Sequence, residues 1–272
     1  MSTASTNQVN ATVVGREQIH PGLIVLRVCP DDPLFEFNPG QFAVLGLPGS
    51  AVRVADAEPE VPAPEGDKLI RRAYSIASAC VERRYVEFYL TLITSGALTP
   101  RLFALEHGSR VFLGPKASGV FTLDRTPPGK AIVFIATGTG LAPYVSMLRS
   151  VLAHETERKF VVLHGACYSW DLGYRGELES LARLRPNFTY LPSITRPEQD
   201  PHFRGRVGRI QAILEQGALE QDAGIELDPQ QVDFFLCGNP EMIKVVVGLL
   251  EAKGFNRSKG KLPGNIHVEE YW

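Results

Sequence analysis

The texture of the chain changes at Thr126-Pro-Pro-Gly129, and this change limits the architectures open to it. From Ala11 to about Leu123 the apolar runs are short and separated by turn signals, as in Leu23–Val28, Gln41–Gly46, Tyr85–Leu92 and Arg110–Gly114, with Asn38-Pro-Gly40 and Pro48-Gly49 between runs. That pattern predicts an antiparallel β-barrel. Ala51 to Asp67 is rich in Ala, Pro and Glu, offers little to a core and reads as an exposed hairpin loop. Beyond Gly129 the apolar runs Ala131–Ala136, Phe160–His164, Phe188–Leu191 and Val232–Leu236 are short and nearly unbroken, as buried parallel strands are. Amphipathic segments of helix length accompany them at Leu141–Leu152, Leu178–Leu184, Val207–Gln216 and Glu241–Lys253. The expected fold class is therefore two-domain β + α/β: a barrel over residues 1–125, then a doubly wound parallel sheet over 126–272. At 272 residues the chain has room for both.

Composition excludes several function classes. A formal net charge of −2 provides no global field for nucleic acid or an anionic membrane. Cys29, Cys80, Cys167 and Cys237 lie far apart with no Cys-x-x-Cys pair, so no zinc or iron–sulfur site is expected. Met1 to Asn10 lacks the basic and apolar regions of a signal peptide, and no run is apolar for long enough to span a bilayer. A reduced, cytoplasmic protein is the expectation.

Two places carry chemistry. In the barrel half, Arg71-Arg-Ala-Tyr-Ser75 combines a guanidinium able to neutralise a pyrophosphate, a ring able to stack on a flat heteroaromatic and a hydroxyl able to donate to a ring nitrogen. Arg72 and Tyr74 alternate to one face of a strand and Ser75 to the other. Downstream, Gly96-Ala-Leu-Thr-Pro-Arg101 reads as a loop opening a helix capped by Thr99 with Pro100 first, which would present free N–H groups to an anion. In the second half, Thr137-Gly-Thr-Gly140 follows a buried strand and precedes a helix, and Cys237-Gly-Asn-Pro240 follows another. Glycine turns at strand C-termini admit a pyrophosphate in such sheets. Taken singly, each piece is also compatible with a surface arginine, a packed tyrosine, a helix cap or a small buried cysteine.

Arg72-Ala-Tyr-Ser75, Gly138-Thr-Gly140, Cys237-Gly-Asn-Pro240 and the terminal Glu269-Glu-Tyr-Trp272 occur in the order and spacing of the ferredoxin–NADP reductase family, and the chain resembles its bacterial branch from about Ala11 to Trp272. The resemblance implies FAD bound by the barrel through Arg72, Ala73, Tyr74 and Ser75, with Tyr74 against the isoalloxazine and Ser75 near N5. It implies that Phe88, Tyr89 and Leu90 line the flavin groove and that Leu98 and Thr99 meet the phosphates. Thr137, Gly138, Thr139 and Gly140 would hold NADP(H), with Gly238, Asn239 and Pro240 in the second turn and Cys237 beside the nicotinamide. Ser75, Cys237 and Glu269 are the implied catalytic residues, and Tyr271 and Trp272 the closing aromatics of a tail that returns to the flavin. One departure concerns the adenosine 2′-phosphate: the branch commonly has an arginine where this chain has Cys167, although Arg196 and Arg209 match two further phosphate arginines. No Asp or Glu ends the second strand, where an NAD site would place one.

With no cluster cysteines and no haem motif, electrons must leave for another molecule, and the resemblance names ferredoxin or flavodoxin. Candidate basic docking residues are Arg71, Arg83, Arg84 and Arg101 in the first half and Lys253, Arg257, Lys259 and Lys261 in the second. Branch members are generally monomeric, and a monomer is expected. Rival readings are a reductase component of an oxygenase system, a free flavin reductase, or a flavin-binding redox sensor without catalysis.

Overall fold

The computed structural model describes residues 9–32, 35–260 and 262–270. Contacts divide the chain into two units, Met1–Thr122 with Ala142–Ser150, and Leu123–Leu141 with Val151–Trp272.

In the first unit, β1 (Ala11–His20) and β2 (Leu23–Pro30) form a hairpin around Pro21-Gly22, followed by β3 (Phe42–Pro48), β4 (Leu69–Ser75), β5 (Val86–Thr91) and β6 (Arg110–Leu113). The antiparallel order is β4-β3-β6-β1-β2-β5, and an Ile76–Phe88 bridge joins the β5 edge back to the end of β4, closing the barrel. Closure removes exposed edges, and the inward side chains, among them Ile24, Leu26, Leu45, Phe88, Leu90 and Val111, form the core.

The helix expected over Leu141–Leu152 is present as α2 (Ala142–Val151), but its residues Ala142–Ser150 group with the barrel. The cause is polar as well as apolar. Ser146 donates to the carbonyl of Ser78 at 2.7 Å, Ser150 Oγ accepts from Cys80 N–H at 3.0 Å, and Arg149 reaches both the Ala77 carbonyl and Glu87. Glu87 is 1% exposed and is held between Arg149 at 2.6 Å and Arg27 at 2.7 Å.

The Ala51–Asp67 loop differs from its expectation. Val61 is 92% exposed, as composition suggests, yet the loop is pinned from beneath. Arg101, only 2% exposed, binds both oxygens of Glu60 at 2.7 and 2.8 Å and the carbonyls of Ala97 and Gly49. Arg101 is therefore a buried structural residue and leaves the set of docking candidates. A guanidinium with five donors can gather three chain segments at once, which is why it is used there.

The second unit contains β7 (Ala131–Thr137), β8 (Phe160–Ala166), β9 (Phe188–Ile194), β10 (Arg206–Val207), β11 (Val232–Cys237) and β12 (Ile266–Glu269), all parallel in the order β10-β9-β8-β7-β11-β12. The chain moves outward from β7 to β10 and then crosses to β11 on the other side of β7. Strand order thus reverses between β7 and β11, and in such sheets ligands bind outside the carboxyl ends of the strands at that point. Helices α3 (Arg175–Leu184), α4 (Ile210–Glu215), α5 (Ala218–Ala223) and α6 (Pro240–Ala252) accompany the sheet. At the opposite end, Asp233 is 1% exposed and accepts from Lys130 at 3.0 Å and Asn265 at 3.2 Å, fixing the starts of β7 and β12 to β11.

Among the described residues no helix is long and apolar enough to cross a membrane, and no His, Cys, Asp and Glu group is arranged to hold a metal.

Candidate functional site

In the barrel unit the candidate residues cluster where β4 ends. β4 pairs with β3 so that Tyr74 lies opposite Ala43 and Arg72 opposite Leu45, which places Arg72 and Tyr74 on one face, with Ser75 on the other opposite Phe42. Arg72 and Ala73 are exposed, Tyr74 is half-buried and Ser75 is 6% exposed. The Arg72 guanidinium donates to the Arg71 carbonyl at 2.8 Å and forms no ion pair with a carboxylate among the described residues, so its charge remains available to an anion. Burial pushes the Tyr74 hydroxyl up to about 12, so the ring is a neutral phenol over the working range of pH. An exposed cation, a neutral aromatic face and a hydroxyl on one strand end suit a flavin dinucleotide.

Phe88 and Leu90 are buried in the barrel core, and Tyr89 between them is 3% exposed on the alternate face. Phe88 and Leu90 can therefore offer a ligand their main chain but not their side chains. The short helix α1 spans Thr99–Phe103, and its N-cap is Leu98, one residue before the expected cap. Thr99 Oγ1 instead donates to the Ile93 carbonyl at 3.1 Å and accepts from Ile93 N–H at 3.0 Å, closing the loop between them. Pro100 has no N–H, and the Arg101 and Leu102 N–H groups both donate to the Leu98 carbonyl at 3.0 Å, so an anion at this helix start would meet the N–H groups of Leu98 and Thr99.

In the second unit the two glycine turns meet at the reversal between β7 and β11. A Cβ on Gly140 would stand 2.5 Å from the Cys237 carbonyl oxygen and 2.7 Å from the Gly238 nitrogen. Gly238 has φ +131°, and a Cβ there would stand 2.2 Å from Thr137 Oγ1. The same Thr137 oxygen accepts from Asn239 N–H at 2.7 Å. The turns are thus packed backbone to backbone, which no larger residue permits. Asn239 caps α6, its Oδ1 accepting from Glu241 N–H at 2.9 Å and Met242 N–H at 3.1 Å, with Pro240 at the helix start. The capping role of Asn239 goes beyond its expected place in the glycine turn, although an Asn-Pro pair before an apolar helix signals it. Cys237 is fully buried at the end of β11 and in register with Ala136 on β7 and with half-buried Glu269 on β12. Tyr271 and Trp272 lie outside the described residues, as does Lys261.

A third cluster lies farther along the same rim. β8 and β9 pair through Ala166 and Ile194, and β9 and β10 through Ile194 and Val207. Past those pairs the chain reaches Cys167, Arg196 and Arg209, all exposed. Arg206 is committed to an ion pair with Asp222, whereas Arg196 bonds to Tyr168 Oη. Of the remaining docking candidates, Arg83 and Arg84 are exposed beside Glu36 and Glu82, Arg71 lies over the Phe112 ring, and Lys253 and Arg257 pair with Glu220 and Glu270.

A closed antiparallel barrel with an arginine–tyrosine–serine strand end, followed by a parallel sheet with paired glycine turns at its reversal, defines a two-domain dinucleotide oxidoreductase. The family described as oxidoreductase NAD-binding domain matches residues 134–248. The chain is 35% identical over 247 residues to ferredoxin–NADP reductase A of Sorangium cellulosum, covering 88% of this chain and 81% of that protein. It is 30% identical over 241 residues to the flavodoxin/ferredoxin–NADP reductase of Escherichia coli, covering 88% and 90%. Among solved structures it is similar to a ferredoxin NADP+ reductase from Neisseria gonorrhoeae with bound FAD and NADP, with TM-score 0.82, 26% identity and coverage of 97% and 98%. The chain belongs to the ferredoxin–NADP reductase family.

Proposed function

We infer that this protein moves electrons between NADP(H) and a one-electron carrier, ferredoxin or flavodoxin, through FAD. The observation that supports the reading is the close packing of Gly140 against the Cys237 and Gly238 backbone, which brings the two glycine turns together at the strand-order reversal, where such sheets receive a dinucleotide. Family membership supports the same assignment.

FAD, when bound, supplies chemistry that no side chain here provides, exchanging a hydride with the nicotinamide and single electrons with the carrier. The residues serve to bind and orient. Arg72 neutralises the flavin pyrophosphate, assisted by N–H groups at Leu98 and Thr99. Tyr74 would face the ring system and Ser75 would donate a hydrogen bond near N5, while the main chain of Ala73 and of Phe88, Tyr89 and Leu90 would line the groove. Thr137 to Gly140 and Gly238 to Pro240 receive the NADP(H) pyrophosphate and nicotinamide, with Cys237 against the ring. Glu269 provides a carboxylate for proton exchange, and for Tyr271 and Trp272 the family resemblance implies a closing role. Arg196 and Arg209 read the 2′-phosphate. We propose a monomeric state, as the resembled branch implies, and a cytoplasmic location.

An anaerobic titration following flavin bleaching tests the reading. NADPH is expected to reduce the flavin far more efficiently than NADH. Equal or better reduction by NADH would withdraw the NADP assignment, and no reduction by either would remove the reductase reading.

A further inference from the structure

Arg196 is not alone on its rim. Its side chain donates to Tyr168 Oη, its guanidinium lies 5.2 Å from the centre of the Tyr168 ring, and that ring stacks on Trp170 at 4.6 Å with planes 9° apart. The turn carrying both aromatics is itself fixed, because Tyr168 N–H donates to Asp171 Oδ2 at 3.1 Å and Asp171 N–H returns to the Tyr168 carbonyl at 3.2 Å. Main-chain bonds continue past the strand ends from Thr195 to Ala166 at 3.1 Å and from Arg196 to Cys167 at 3.0 Å, so the two loops leave the sheet together. Gly208 N–H, donating to the Ile194 carbonyl at 2.9 Å, brings the loop with Arg209 alongside.

This arrangement does not serve the core. Trp170 is 44% exposed, Arg196 is exposed, and Arg196 forms no ion pair with a carboxylate among the described residues. A tryptophan, a tyrosine and a free cation held in one geometry at strand C-termini are organised for an anionic ligand.

Resting on the NADP(H) reading, we propose that Tyr168 and Trp170 are specificity-determining residues for the adenosine 2′-phosphate. Tyr168 accepts one guanidinium N–H and keeps its own O–H to donate to a phosphate oxygen. Arg196 offers its remaining N–H groups to the same dianion, and Arg209 adds a second cation. A phenol that donates to phosphate becomes a better acceptor for the arginine, so each bond strengthens the other. Trp170 acts on the ligand through Tyr168, as a positioning residue that holds the ring and with it the guanidinium. Cys167, exposed on the adjoining loop, brings no positive charge, so discrimination falls on this unit.

The test compares 2′,5′-ADP with 5′-ADP by titration calorimetry on the FAD-loaded protein. Wild type is expected to bind the 2′-phosphorylated nucleotide more tightly. Tyr168→Phe, which keeps the stack and removes the hydroxyl, should reduce that preference about tenfold while leaving 5′-ADP affinity unchanged. Trp170→Ala should lower the preference by a similar factor, and Trp170→Phe should restore most of it. The KM for NADPH should rise in parallel with kcat little altered. Wild-type preference in both Tyr168→Phe and Trp170→Ala would overturn the inference and leave the NADP(H) reading standing, as would an equal weakening of both nucleotides. A wild-type protein that binds the two equally would overturn the reading and the inference together.

Discussion

Replacing Glu87 with Gln tests whether burial decides what an ion pair contributes in this barrel. The carboxylate is 1% exposed, while Arg27 and Arg149 are 34% and 24% exposed. Glutamine keeps the shape, and its carbonyl can still accept from one arginine. Its amide then faces the other, donor against donor, and two guanidinium charges lose their shared counter-ion. Breaking a buried pair costs about 3–5 kcal/mol, and because both arginines retain partial contact with water the lower end, about 3 kcal/mol, applies. At about 2–4 °C per kcal/mol for a protein of this size, the midpoint should fall by about 6–12 °C. Because a two-domain chain need not melt in one step, the readout is flavin release, which follows the unit containing Glu87. Glu82→Gln is the control. Glu82 binds Arg84 at 2.7 and 2.9 Å, and that pairing holds its carboxyl down to about 2, yet Arg84 is 81% exposed. Its loss should move the midpoint by less than about 2 °C. If the two variants shift alike, the argument from burial is wrong.

Further outcomes follow from other sites. Burial pushes His164, bonded through Nδ1 to Tyr190 Oη at 3.1 Å, down to about 3. The unfolded chain takes up this proton near pH 6.5 and the folded chain does not, so stability should fall by about 1.4 kcal/mol per pH unit from about pH 6 towards 3. His164→Gln should flatten that slope in urea titrations, and an unchanged slope would exonerate His164. Gly140→Ala puts a methyl against the Cys237 and Gly238 backbone, where no flexible side chain can give way. Flavin content should stay normal while kcat/KM for NADPH falls at least about tenfold, and wild-type kinetics would refute the packing argument. Arg72→Ala should weaken FAD retention by about ten- to a hundredfold, read as flavin content after gel filtration; full retention would remove Arg72 from the site. Carrier reduction should slow as salt rises, and more so for wild type than for an Arg83→Ala/Arg84→Ala variant; a flat response would exclude electrostatic docking.

Much of the frame was legible because it rests on short-range signals. The runs at Ala131, Phe160, Phe188 and Val232 lie within strands β7, β8, β9 and β11, since a short apolar run between turn residues has few other solutions. Helix α3 begins at Arg175, three residues before the expected Leu178, because its first turn is partly exposed and carries no apolar period. The β12 strand escaped notice, for its four residues Ile266–Glu269 include a histidine and a glutamate and become a strand by pairing with β11. Thr99 reads as a cap in sequence because its competing partner, Ile93, lies outside the helix.

The arginines show what local signals cannot carry. In sequence Arg101, Arg149 and Arg196 are alike, each beside small or apolar neighbours. In the fold Arg101 is a buried tie to Glu60, 41 residues away, and Arg149 is a strut to Glu87, 62 residues away. Arg196 meets Tyr168, 28 residues away, and has no carboxylate partner among the described residues. What separates them is the sign of the nearest long-range neighbour. A carboxylate cancels the cation and turns it into structure, whereas a phenol orients the cation without cancelling it. A positive charge held in position but not neutralised is what an anion requires, so the partner's chemistry, more than exposure, makes Arg196 a candidate for anion binding and Arg101 a structural tie.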